Sequence, residues 1–331
     1  MNTFKKIGLT ALAGSLVATS VFAGDMTVSG SAGISLGNQD KTTKGNGFSM
    51  TDSVTFAGSG EMDNGWTVSV SMELDDNASN STATTNNMDS RSVKIDMGDM
   101  GAVTFSGHGG SSAFSTVDDV TPTAYGEAWD ILSTTTTGGV ALETAVAKLG
   151  SIGGTTANNS LSYNNSTMVE GVSVTASYIP SNATQVESVV SMAVAYTGVE
   201  GLTVGYATDE NGLTGTSGID YNTMYVKYAY GPVTVGYQES EQDANGATND
   251  DEFTAMGITY AVSDSLSIGY NQTEYDDADN TTSEESTSIN FSYTMGSMTL
   301  AGAHVSVDNQ GADSAAINDT TGYALDLSFA F

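Results

Sequence analysis

Apolar and polar residues alternate along most of this chain. Trp66, Val68, Val70, Met72 and Leu74 are interleaved with Thr67, Ser69, Ser71 and Glu73. Val172, Val174, Ala176 and Tyr178 alternate with Ser173, Thr175 and Ser177. Successive side chains of a strand point to opposite faces, so each run predicts a strand with one apolar and one polar face. A soluble sandwich produces the same local pattern. Strand length and turn asymmetry separate the two. The runs are about 8–11 residues long, which suits a tilted strand crossing a bilayer.

The runs are joined alternately by short turns and longer polar stretches. The short turns are Asp63-Asn64-Gly65, Gly98-Asp99-Met100-Gly101, Val169-Glu170-Gly171, Gly198-Val199-Glu200-Gly201, Gly231-Pro232, Ser263-Asp264-Ser265 and Gly296-Ser297. Each carries residues that favour tight hairpins. The long stretches cover 37–50, 75–89, 108–159, 179–188, 209–220, 240–251, 275–286 and 306–320. Seven short turns and eight long loops predict an all-β fold: a transmembrane antiparallel β-barrel of about sixteen strands. Short turns at one end and long loops at the other are the habit of membrane barrels. Pro122, Pro180 and Pro232 all fall in predicted loops or turns, where no ladder hydrogen bond is lost. Tyr178, Tyr196, Tyr206, Tyr230, Tyr237, Tyr260 and Tyr293 lie near strand ends, where outward-facing rings form interfacial girdles.

The first residues follow another pattern. Lys5 and Lys6 precede an apolar stretch from Ile7 to about Ala18, and Val21-Phe22-Ala23 places small residues at the cleavage positions. This predicts a signal peptide over 1–23 and a mature barrel over 24–331. The apolar stretch is shorter than the roughly 20 residues of a spanning helix.

Charge narrows the function. The whole chain has 8 Lys and Arg against 39 Asp and Glu. Removing the leader takes two lysines and no acid, so the mature chain carries −33. Such a chain has no basic face for nucleic acid phosphates. There is no Cys to supply a disulfide, a thiol nucleophile or a thiolate metal ligand, and His108 and His304 are the only histidines. No motif supports catalysis, a cofactor or a specific metal site. The external acids, such as Glu274, Asp276, Asp277 and Asp279, lack the spacing of an EF-hand or a nonapeptide calcium array.

The segment Asp25-Met26-Thr27-Val28-Ser29-Gly30-Ser31-Ala32 resembles the first strand of Gram-negative general porins, especially the alphaproteobacterial type. The end of the chain alternates Tyr323, Leu325, Leu327, Phe329 and Phe331 with small and polar residues. It is similar to the signal read by the barrel-assembly machinery. Asp118-Asp119-Val120-Thr121-Pro122-Thr123-Ala124-Tyr125 looks like the third loop of those porins. The resemblance implies a homotrimer in outer-membrane lipid and lipopolysaccharide, with the third loop, about 108–159, folded inward to narrow the pore. In the family this loop lines the constriction with acids that face a basic cluster on the wall.

The candidate constriction residues are therefore Asp118, Asp119, Glu127 and Asp130 on the loop, with Lys94, Lys227 and His108 on the wall. Strand parity puts Ser92, Lys94 and Asp96 in the lumen, with Tyr225 and Lys227 likewise and Glu61, Glu73 and Asp326 on other strands. His108 shares the polar parity of Thr104 and Ser106. Arg91, the one arginine, shares the parity of Val93, which would set it at the outer interface instead of the wall cluster; the sequence leaves its face open. The basic cluster is thus thin. The leading function is passive diffusion of small hydrophilic solutes, with a preference for cations. A channel selective for a sugar or an anion is one alternative. A structural or adhesive barrel with a plugged lumen is another.

Overall fold

A computed structural model of the chain describes residues 26–40, 47–75, 88–131, 152, 158–180, 186–213, 218–244, 250–278, 280, 282–310 and 319–331. The predicted signal peptide lies outside the described residues.

Sixteen strands close into one antiparallel barrel. In order they are β1 (Met26–Gln39), β2 (Gly47–Glu61), β3 (Thr67–Asp75), β4 (Met88–Asp96), β5 (Ala102–His108), β6 (Ser160–Val169), β7 (Val172–Ile179) and β8 (Val186–Val199). Then come β9 (Leu202–Leu213), β10 (Ile219–Tyr230), β11 (Val233–Ala244), β12 (Asp251–Ala261), β13 (Leu266–Asp276), β14 (Glu284–Met295), β15 (Met298–Asp308) and β16 (Thr320–Ala330). Each strand pairs with its sequence neighbours, and β1 pairs with β16, from Ser31 opposite Ala330 to Gln39 opposite Gly322. Closure leaves no edge strand, so neighbouring strands satisfy one another's ladder groups around the wall. Phe331 adds the last rung: its N–H and C=O both bond to Gly30 at 2.9 Å.

The predicted turns hold. Left-handed glycines tighten all of them but Ser263–Ser265; at Gly201, with φ +75°, a Cβ would stand 2.4 Å from the Ala229 carbonyl oxygen. The loops, however, are shorter than the polar stretches suggested. β1, β2 and β8 reach 14, 15 and 14 residues. β9 runs on through Asp209 and Glu210, and β11 through Glu239 and Glu241. The ladder is made by backbone groups, so it continues past the point where the outward side chains turn polar.

The register confirms the alternation. Val70, Met72 and Leu74 of β3 are exposed on the outside, as are Met224, Val226 and Tyr228 of β10. All seven tyrosines assigned to the girdles are exposed on the outward register. No helix among the described residues is long and apolar enough to cross a membrane; the crossing elements are the strands.

Candidate functional site

The lumen has two unlike walls, and the residues after β5 create the difference. Residues 109–131 do not stand out from the barrel but lie along its inner face. Two backbone N–H groups open the contact: Ala113 donates to Ser177 Oγ on β7 at 2.7 Å, and Phe114 to Ser191 Oγ on β8 at 2.8 Å. Gln238 of β11 then receives Val120 N–H at 3.4 Å and donates to the Asp118 carbonyl at 2.5 Å. Asn271 of β13 donates to the Pro122 carbonyl at 2.7 Å. Asn290 of β14 accepts from Ala124 N–H at 2.8 Å and donates to Asn271 Oδ1 at 2.6 Å. Tyr125 Oη closes the series by donating to Asp326 on β16.

Apolar packing backs these bonds. Phe114 and Trp129 are buried against lumen-facing Ala193, Ala207, Tyr225, Phe253 and Ala255. Trp129 meets Phe253 edge-on, with centroids 5.0 Å apart. Two lumen glycines leave room for the chain. A Cβ at Gly236 would stand 2.4 Å from Pro122 Cδ, and one at Gly257 would stand 2.3 Å from the Pro122 carbonyl oxygen. Burial, its bond to Asp326 and that carboxylate's charge push the Tyr125 phenol well above the ordinary tyrosine range.

Among the described residues, nothing is docked on the opposite wall. No lumen-facing side chain of β2–β5 is buried. It presents hydroxyls from Ser53, Thr55, Ser69, Ser71, Ser92 and Thr104, with Glu73, Asp75, Lys94 and Asp96 among them. Ser90 Oγ donates to Glu73 at 3.1 Å. Lys94 Nζ is 3.3 Å from Asp96 Oδ2, with both side chains about half exposed.

The candidate residues therefore divide. Asp119 is exposed on the inward loop, and Asp118 is half-buried. Glu127 is 7% exposed. Asp130 sits in the helical turn Ala128–Ile131, and its side chain lies outside the described residues. Lys94 lies in the lumen as expected. So does Lys227, between Thr203 and Gly236 near the turn end of β10. His108 is a correction. An extra residue in β5 shifts the register, so His108 falls opposite Arg91 instead of continuing the series Ser106, Thr104. A bulge sets two residues against one and breaks the alternation, which takes His108 out of the lumen-facing row. Its ring nitrogen Nδ1 is held by the Asp89 carbonyl. Arg91, whose face the sequence left open, is exposed opposite outward-facing Met72.

The loop anchors Gln238, Asn271 and Asn290 were not singled out from the sequence. Only their place on polar faces was visible. Among the described residues, no group of three or more His, Cys, Asp or Glu is arranged to hold a metal ion.

The fold has clear relatives. The anion-selective porin of Comamonas acidovorans superposes with a TM-score of 0.67 at 14% identity, covering 93% of this chain and 99% of that one. OmpT, an outer-membrane protein of Vibrio cholerae, gives 0.66 at 12% identity, with 96% and 99% covered. A triple mutant of the Rh. blastica porin gives 0.63 at 14% identity, with 92% and 100% covered. None of the curated proteins matches the sequence. Residues 8–330 match the family model of Gram-negative porins, so this closed sixteen-stranded chain belongs to that family and is an outer-membrane channel.

Proposed function

We propose that the chain forms a trimeric, water-filled diffusion channel for small hydrophilic solutes and that it prefers cations. One observation carries the ionic preference. The uncovered wall offers Glu73 and Asp75, while its base, Lys94, is held by Asp96 at 3.3 Å. Lys227 stands apart, near the turn end of the barrel. Asp119 adds an exposed acid from the inward loop. A tenfold selectivity needs about 1.4 kcal/mol. Two unit charges 4 Å apart interact by about 1 kcal/mol in bulk water and about 4 at an effective dielectric near 20. A few carboxylates inside a narrow lumen suffice. The Comamonas acidovorans relative is anion-selective, but a lumen with two described bases gives no ground for carrying that property across.

The trimer is supported by a solved trimer form of the Vibrio cholerae protein with the same fold. The plugged-barrel reading loses ground because, among the described residues, the inward loop lies along one wall and no lumen-facing side chain of β2–β5 is buried. Export by the segment 1–23, assembly by the barrel machinery, and contact with lipopolysaccharide belong to the same proposal.

Planar-bilayer recording in a KCl gradient tests it. The reversal potential should favour K⁺ strongly at low salt and weakly at 1 M, where the screening length falls to about 3 Å. Replacing Asp118, Asp119, Glu127 and Asp130 together by their amides should reduce the preference. Removing as many acids from residues 274–285 should change it much less. An anion-selective wild-type channel would overturn the ionic reading.

A further inference from the structure

The outer face of the barrel carries two lone charges of opposite sign on one sector. Asp52 of β2 is the first. It lies opposite Ala32 in a register that puts Met50 opposite Ile34 and Phe56 opposite Val28, so it points outward. Phe48 and Met50 on one side of it are exposed at 74% and 61%, and Val54 and Phe56 follow on the other. It thus interrupts an apolar row from within. Elsewhere, outward acids such as Glu239, Glu241, Glu274 and Asp276 stand toward the loop ends of their strands, beyond the last apolar residue. Hydrocarbon tails give a carboxylate no partner, so Asp52 does not belong against lipid.

Arg91 of β4 is the second charge. It points outward opposite Met72, above Val93 and Ile95. Its Nε lies 3.1 Å from where a Cβ on Gly107 would stand, so the side chain lies over the bare backbone of β5. Within one chain the two cannot meet. The outward neighbour of Arg91 across β3 leads to Phe56, four residues along β2 from Asp52. At about 3.3 Å per residue along a strand and about 4.8 Å between strands, the offset is far beyond contact.

The surroundings of Asp52 suit an incoming side chain. Outward-facing Ala32, Met50, Val54, Leu74 and Phe331, with Ser31, Ser53 and Asp75 from the other face, border a depression of about 600 Å³ that includes Asp52. What should fill it is an apolar surface carrying one cation. Lys94 and Lys227 face the lumen, which leaves Arg91 as the outward Lys or Arg among the described residues.

We infer that Asp52 of one copy receives Arg91 of a neighbouring copy, so that β1–β4 form the contact between subunits. The pair joins two different patches of the same chain. Such a heterologous contact closes into a ring when the rotation allows, and this inference rests on the trimer proposed above. Guanidinium and carboxylate then satisfy each other away from lipid, with the fork geometry that suits arginine.

The chain contains no cysteine, so the contact can be tested by site-directed cross-linking of the full-length protein in outer membranes. The variants are Asp52→Cys, Arg91→Cys and the double variant, treated with a short bis-maleimide. Native mass spectrometry of the wild type in mild detergent runs in parallel. The inference expects a wild-type trimer, a covalent dimer and trimer ladder in the double variant, and little cross-linking in either single variant. A wild-type trimer with no ladder in the double variant would overturn the assigned contact and leave the trimer standing. A wild-type monomer would overturn both. A charge swap gives a second reading. D52R and R91D should each reduce heat-resistant trimer at least tenfold on semi-native gels, and the D52R/R91D chain should recover it. Equal loss in the swap and the singles would count against the pair.

Discussion

The inner faces of β2–β5 and β8–β14 are built from similar small and polar residues, yet they do opposite work. On β2–β5 the hydroxyls and carboxylates face open lumen, and none is buried. On β8–β14, Gln238, Asn271 and Asn290 are buried because each holds a backbone group of the inward loop. Polarity alone does not separate a water-lined wall from a docking wall. What separates them is length and shape. Serines start the docking at Ala113 and Phe114, but a carboxamide reaches further and carries its donor and acceptor on separate atoms. Glycine beside it leaves room for a crossing chain.

The largest effect should come from filling that room. Gly236→Leu with Gly257→Leu would drive side chains into Pro122, where even a Cβ stands at 2.4 and 2.3 Å. Overpacking of this kind costs about 1–3 kcal/mol per site. The ladder bonds of β11 and β12 are untouched, so the barrel should assemble while the loop lifts off. Single-channel conductance should rise, ionic preference should fall, and protease should cut within 109–131 of the assembled protein. Unchanged conductance and an intact loop would mean that the two walls do not differ in the way proposed.

Much of this was legible in the sequence. Period-two alternation and a short turn after every second strand specify the number of strands, the face of nearly every residue and the outward tyrosines. The loop ends were not legible, because strands such as β9 and β11 continue after their outward residues turn polar. Nor was the place of His108, because a one-residue bulge leaves no mark on a parity count. The anchors were hidden for a different reason. Asn271 and Asn290 meet loop residues 149 and 166 positions away. A polar residue on a lumen face carries no sign of what will lie against it. The acids of the loop could be named, but whether each faces water or wall depends on that same docking. Hence Asp119 and Glu127, eight residues apart, end in opposite environments.

A smaller effect is expected at the last anchor. Tyr125→Phe removes the bond to Asp326. A hydrogen bond to a charged group contributes about 1.5–3 kcal/mol. The loop should become more sensitive to protease, and the freed carboxylate should slightly raise the preference for K⁺. The pH dependence has a definite sign. Tyr125 ionises above the ordinary value of about 10. Its contribution is therefore complete below about pH 10 and is lost only as pH rises through the higher folded value. Protease protection of the wild-type loop should stay flat from neutral pH to about pH 10 and decline above it. A decline well below pH 10 would show that another group controls the loop.

The smallest effect concerns the uncovered wall. Lys94→Gln removes the base that faces Asp96 at 3.3 Å. Both side chains are about half exposed, and such pairs contribute about 0–1 kcal/mol. Stability should hardly change, so the heat-induced gel shift should stay at the wild-type temperature. The ionic consequence has a clear direction. Without Lys94, the charge of Asp96 adds to that of Glu73 and Asp75 along the same wall. The K⁺ over Cl⁻ permeability ratio should rise, by at most about fivefold if the whole of a 1 kcal/mol field change is felt by the permeating ion. Asp96→Asn frees the lysine instead and should lower the ratio. Opposite shifts in the two variants would place the selectivity on the bare wall as well as the loop. No shift in either would confine it to the loop acids, and the wall would then act only as a hydroxyl lining.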